Sequence, residues 1–80
     1  MATRRVMLKY PEALIKEPVL YTMAFEFGVK PNIRRARVTE TEGEIVAELE
    51  GAPDALDKGV QYLKDKGVLV EPLEGDVVSP

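Results

Sequence analysis

The stretch Phe27-Gly28-Val29-Lys30-Pro31-Asn32 constrains this chain more than any other, because it ends one periodicity and begins another. Upstream, Leu20, Met23, Ala24 and Phe27 recur at i, i+3, i+4 and i+7, the spacing of one helical face, with Val19 at its border. Gly28 supplies the left-handed residue on which a helix ends. Pro31 fixes its own φ and drives Lys30 toward extended backbone. From Arg35 to Thr39 the pattern alternates, as a strand does. A helix that feeds a strand through a tight turn is half of a βαβ unit, provided a strand also precedes it.

One does. Val6, Leu8 and Tyr10 alternate with Arg5, Met7 and Lys9, which predicts a half-buried strand over Arg4–Tyr10, stopped by Pro11. Leu14 and Ile15 should tuck beneath the connector that follows. Glu17-Pro18 opens the first helix, with proline at its first position and an acid at the positive end of the dipole. The second strand is expected over Asn32–Thr39, a turn at Glu40-Thr41-Glu42-Gly43, and a third strand over Glu44–Glu50 with Ile45, Ala47 and Leu49 inward. A four-residue loop would set Thr39 opposite Glu44 and place Ala36 and Val38 beside Ala47 and Ile45. It would also set Arg35 opposite Glu48 as a cross-strand ion pair. Gly51-Ala52-Pro53 opens a second helix whose inner face is Leu56, Gly59, Val60 and Leu63. Gly59 costs about 1 kcal/mol against alanine inside a helix, which implies close approach of that helix to the sheet. Gly67 ends the helix, and Val68–Leu73 is the last strand, with Pro72 marking an edge.

The order is β-α-β-β-α-β. This is an α+β, ferredoxin-like two-layer sandwich: a four-stranded antiparallel sheet with two helices on one face. It should occupy residues 1–75, with a flexible tail over 76–80. The face without helices would carry Arg5, Lys9, Arg35, Arg37, Glu48 and Glu71 around Met7, Val46 and Leu69. A mixed face of this kind on an 80-residue domain points to a homo-oligomer, with two-fold symmetry. Tyr21 and Phe25, one i, i+4 step apart, fall roughly opposite the core stripe; they are either scattered surface aromatics or a partner surface.

Composition removes much of the chemistry. The chain has no cysteine and no histidine, so disulfides, thiolate chemistry, zinc ligation and the usual general base are all excluded. No glycine-rich phosphate cradle occurs, and every acid is explained by a solvated face or a helix end, so no enzyme activity, metal or cofactor is expected. The net charge of −3 argues against nucleic acid, as do the Arg, Met, Val and Glu at the central-strand positions where the RNA-binding form of this fold presents aromatics. No apolar run approaches the roughly 20 residues of a membrane span, and no export signal is visible, so a cytoplasmic protein is expected. Two features stay open. Arg34, Arg35 and Arg37 serve either cross-strand pairing with Glu48 and Glu50 or capture of a carboxylate. Asn32 serves either the turn or recognition by hydrogen bonding.

Pro31-Asn32-Ile33-Arg34, preceded by Phe27-Gly28-Val29 and followed by Ala36-Arg37-Val38, resembles the NIL domain. So do Glu17-Pro18-Val19-Leu20 upstream and Gly51 to Leu73 downstream, with Tyr62-Leu63 before Gly67-Val68. The family is named for an Asn-Ile-Leu triplet; this chain has Asn32 and Ile33 but Arg34 in the third place. The Asn-Ile-Arg-Arg version is most similar to NIL domains fused to a ferredoxin module, and the missing cysteines imply a free-standing relative. The resemblance implies a C-terminal regulatory role like that in methionine-importing ABC transporter ATPases, where such domains bind methionine between paired copies and restrain import. It maps the ligand-site asparagine onto Asn32 and the adjacent motif position onto Ile33. Phe27, Val29 and Ile33 become candidates for an apolar thioether pocket. A second context is sulfur transfer and homocysteine formation. The alternative is an adaptor that docks on a sulfur-metabolism protein without a small ligand.

Overall fold

The computed structural model describes residues 2–15 and 17–73. Strand β1 (Ala2–Pro11) runs through a single 3₁₀ turn (Glu12–Leu14) toward helix α1 (Val19–Phe27). Strands β2 (Lys30–Val38) and β3 (Glu42–Gly51), helix α2 (Pro53–Lys66) and strand β4 (Leu69–Pro72) follow. The sheet order is β2-β3-β1-β4, antiparallel throughout, with both helices on one face. This is the ferredoxin-like α+β sandwich expected from the pattern. The expected tail over 76–80 lies outside the described residues.

Both helices stop where glycine allows it. Gly28 sits at φ 69° and Gly67 at φ 107°, in the left-handed region. The valine after each donates back into the helix, Val29 N–H to Ala24 at 3.1 Å and Val68 N–H to Leu63 at 3.0 Å. At the other end, Pro18 precedes α1 as its cap residue rather than being its first helical residue, and Thr22 N–H bonds to its carbonyl at 2.9 Å.

Alternation along β1 and β3 builds the floor of the core. Val6, Leu8 and Tyr10 from β1, and Ala47 and Leu49 from β3, are buried under Leu56 and Leu63 of α2 and Met23 of α1. The stripe that α1 buries differs from the expected one. Val19 and Met23 are its deepest members, while Leu20, Ala24 and Phe27 are half-buried. The helix leans on α2, so the row through Val19 and Met23 points inward and Leu20 borders an open groove.

Gly59 explains that lean. A Cβ at this position would lie 2.7 Å from Met23 Sδ, 3.4 Å from its Cγ and 3.5 Å from Val29 Cγ2. The close approach is therefore to α1 and to the start of β2, not to the sheet surface. Gly59→Ala is expected to destabilise the domain by about 1 kcal/mol, because the overpacking exceeds alanine's helix advantage of the same order. In a Met23→Ala background the same substitution should become stabilising by about 1 kcal/mol; urea unfolding of the four-member cycle measures this reversal of sign.

The β2–β3 hairpin closes more tightly than a four-residue loop. Thr39 N–H donates to Glu42 O at 2.8 Å, and the Thr39 hydroxyl accepts from Thr41 N–H at 3.3 Å and Glu42 N–H at 3.1 Å. The register slides accordingly: Val38 faces Gly43, Ala36 faces Ile45, and Arg35 faces Val46 rather than Glu48. A slide of two residues keeps each side chain on its expected face, which is why alternation alone could not detect it. Between Ile33 and Arg35 the ladder shifts again, and Arg34 is the extra residue of a β-bulge. Beyond it Ile33 faces Ala47 and Asn32 faces Glu48.

Candidate functional site

The bulge decides what Asn32 can touch. Lys30, Asn32, Arg35 and Arg37 share the sheet face opposite the helices, opposite Glu50, Glu48, Val46 and Glu44 of β3. Across β3, strand β1 contributes Thr3, Arg5 and Met7 to the same face, in register with Glu50, Glu48 and Val46. The open face is thus an acidic strand between two basic ones.

Glu48 is the hub. Arg5 Nη2 donates to its Oε2, and Arg34 Nη1 donates to the same oxygen at 3.0 Å. The hydrogen bond from Arg5 is the main cause that holds the Glu48 carboxyl below its ordinary range, with the Arg34 charge assisting and desolvation opposing. Arg35, which the looser loop would have paired with Glu48, has no ionic partner among the described residues. The bulge directs Arg34 to the open face, where it takes that place. Arg4, on the helix side of β1, ties the sheet to Asp57 of α2.

Around Asn32 the open face dips into a shallow depression of about 370 Å³, lined by Thr3, Lys30, Pro31, Asn32, Glu48 and Glu50. Its chemistry is an ammonium, a primary amide, a hydroxyl and two carboxylates, one of them already paired with two arginines. Such a set can hold a small zwitterion: a cation for a carboxylate, an anion for an ammonium, and an amide that both donates and accepts. Among the described residues no cluster of three or more acidic side chains could hold a metal ion, and no helix is long and apolar enough to cross a membrane.

The four residues singled out from the sequence do not converge in one copy. Asn32 lines the depression. Ile33, 51% exposed, points to the helix side of the same strand. Val29 is 3% exposed, packed against Gly51 and Gly59. Phe27 is half-buried with its ring 5.6 Å from that of Tyr62. Sequence reading missed Thr3, Lys30 and Glu50. Lys30 was findable, since it shares parity with Asn32; Thr3 and Glu50 were not, because their proximity depends on the cross-strand register.

The chain is thus a two-layer α+β domain with a depression on its bare sheet face. The family is identified directly: the NIL domain model matches residues 4–72, and the chain belongs to the NIL domain family. Among solved structures it is similar to the C-terminal domain of an ABC transporter / ATP-binding protein from Enterococcus faecalis. That likeness has a TM-score of 0.77 at 17% identity, covers 90% of this chain and 84% of the other, and concerns the fold. Curated proteins gave no match.

Proposed function

We propose that the domain is a regulatory, non-catalytic module that binds methionine or a related sulfur amino acid at the seam between copies of itself, as a dimer or tetramer in the cytoplasm. The observation that carries this reading is the convergence of Lys30, Asn32 and Glu50 on one depression. Lys30 would hold the α-carboxylate as a point charge and Glu50 would accept from the α-ammonium. The Asn32 amide would bridge the two ends. Membership of the NIL family supports the choice of a sulfur amino acid.

In one copy Pro31 is the single apolar lining residue of the depression, so a thioether finds little cover there. A second copy laid on the open face would supply it, through the half-buried Met7 and Val46 and the exposed Leu69. Ile33 would meet the partner from the strand edge. Val29 and Phe27 would act from beneath, by anchoring the start of β2 on the helix layer so that Asn32 keeps its place.

Titration calorimetry of the whole chain with methionine tests the reading. Binding heat is expected for the wild type, and Asn32→Ala should weaken binding about tenfold or more, because the buried polar ends of the ligand lose their partner. Absence of heat with every sulfur amino acid would refute the reading. A second reading, an adaptor for a protein of sulfur amino-acid metabolism, is favoured by Tyr21 and Phe25. They are 70% and 78% exposed, with rings stacked at 6.3 Å. Phe25→Ala separates the two: it leaves methionine heat unchanged under the first and weakens partner capture under the second.

A further inference from the structure

Strand β2 is a sheet edge of nine residues, whereas the opposite edge, β4, has four and ends in Pro72. Its outer side carries main-chain N–H and C=O groups that β3 does not use. Every residue of β2 except Pro31 is exposed. The strand also holds four of the chain's 11 lysines and arginines, Lys30, Arg34, Arg35 and Arg37, and no acid, although the chain as a whole is net −3. Basic character is therefore concentrated on the one long strand edge left open among the described residues.

The two faces of this edge are chemically distinct. On the helix side lie Ile33, 51% exposed, and Val38, 60% exposed, with Val38 and Tyr21 of α1 lining the same groove of about 160 Å³. On the open side lie Arg35 and Arg37, with no ionic partner among the described residues. A second copy of β2 is a poor occupant, because antiparallel pairing would bring cations against cations. A polyanion such as nucleic acid meets Glu44 and Glu48 beside the arginines.

We infer that the β2 edge receives an extended segment of another protein in which acidic residues alternate with apolar ones. Main-chain bonds to β2 supply affinity, the acids meet Arg35 and Arg37, and the apolar residues cover Ile33 and Val38. Because side chains of a strand alternate in direction, the two faces together read a period of two, and that period is the specificity.

The test uses the full chain and a labelled, end-capped peptide of alternating valine and glutamate as long as β2, followed by fluorescence anisotropy at ~0.15 M salt. The alternating peptide is expected to bind. A peptide of the same composition with its glutamates in one block, and an alternating peptide N-methylated throughout, should each bind at least about tenfold more weakly. Arg35→Glu with Arg37→Glu should cost about tenfold or more, while Lys9→Glu, an exposed cation on inner strand β1, should change affinity by no more than about twofold. Circular dichroism confirms that each variant is folded. The inference is overturned if the wild type does not bind, if the block peptide, the N-methylated peptide or a single-stranded oligonucleotide binds equally well, or if the double reversal has no effect. It is also overturned if that reversal alters sedimentation while no peptide binds, which would place a second copy on the edge. Arg35 and Arg37 share the open face on which a second copy would sit, so the wild type separates the two readings: peptide binding without methionine heat leaves this inference standing, and methionine heat without peptide binding overturns it.

Discussion

Leu8→Ala is expected to lower the unfolding free energy by about 2–5 kcal/mol. Leu8 is fully buried on inner strand β1, facing Ile45 on one side and Val70 on the other. Truncation removes its transfer free energy and leaves a cavity that the sheet cannot close, since β1 is held on both edges. For 80 residues the whole stability is of order 4–12 kcal/mol, so the substitution should remove a large fraction of it and move the urea midpoint well down. Urea denaturation measures the effect, with Lys58→Ala as the control: Lys58 is exposed on α2, and its loss should stay within about 0.5 kcal/mol. A loss below about 1 kcal/mol for Leu8→Ala would contradict the placement of β1 at the centre of the core.

The second large effect is a loss of stability in alkali that depends on one phenol. Tyr10 is 8% exposed, and its hydroxyl is buried with no hydrogen-bond partner among the described residues. Burial pushes its pKa from 10.0 up to about 12, because the phenolate cannot be solvated there. The unfolded chain releases this proton near pH 10 while the folded chain keeps it to about pH 12. Over that window the unfolded state binds fewer protons, so stability falls as pH rises, by about 3 kcal/mol in all. Tyr10→Phe should abolish this component, read as the difference between wild type and variant in urea midpoints from about pH 8 upward. At neutral pH the same substitution should raise stability by about 1 kcal/mol, because it removes a buried polar group that nothing satisfies. Parallel pH profiles for the two proteins would show that the hydroxyl is solvated after all.

The motif residues illustrate where sequence stops. Asn32 and Lys30 sit on one face because strand parity puts them there, and that was readable. Their meeting with Glu50 and Thr3 was not, because it depends on a ladder that slid two residues at Thr39 and one more at Arg34. Arg34 itself shows the difference: as the third residue of the motif it looked like a strand position, and only the bulge made it the partner of Glu48. Val29 was a candidate pocket residue by proximity to the motif, and the helix layer buries it at 3% exposure against Gly51 and Gly59.

By itself the sequence determined the element order, the helix stops at Gly28 and Gly67, the buried rows through Val6, Leu8 and Tyr10 and through Ala47 and Leu49, and membership of the NIL family. Those follow from local rules: hydrophobic period, left-handed backbone at glycine, and a contiguous motif. Tertiary structure alone decided the hairpin register, the bulge, the seating of Met23 on Gly59 and the membership of the Asn32 depression. Each of these is settled by which atoms compete for one partner across strands or helices, a contest between residues far apart in the chain that no period within it records.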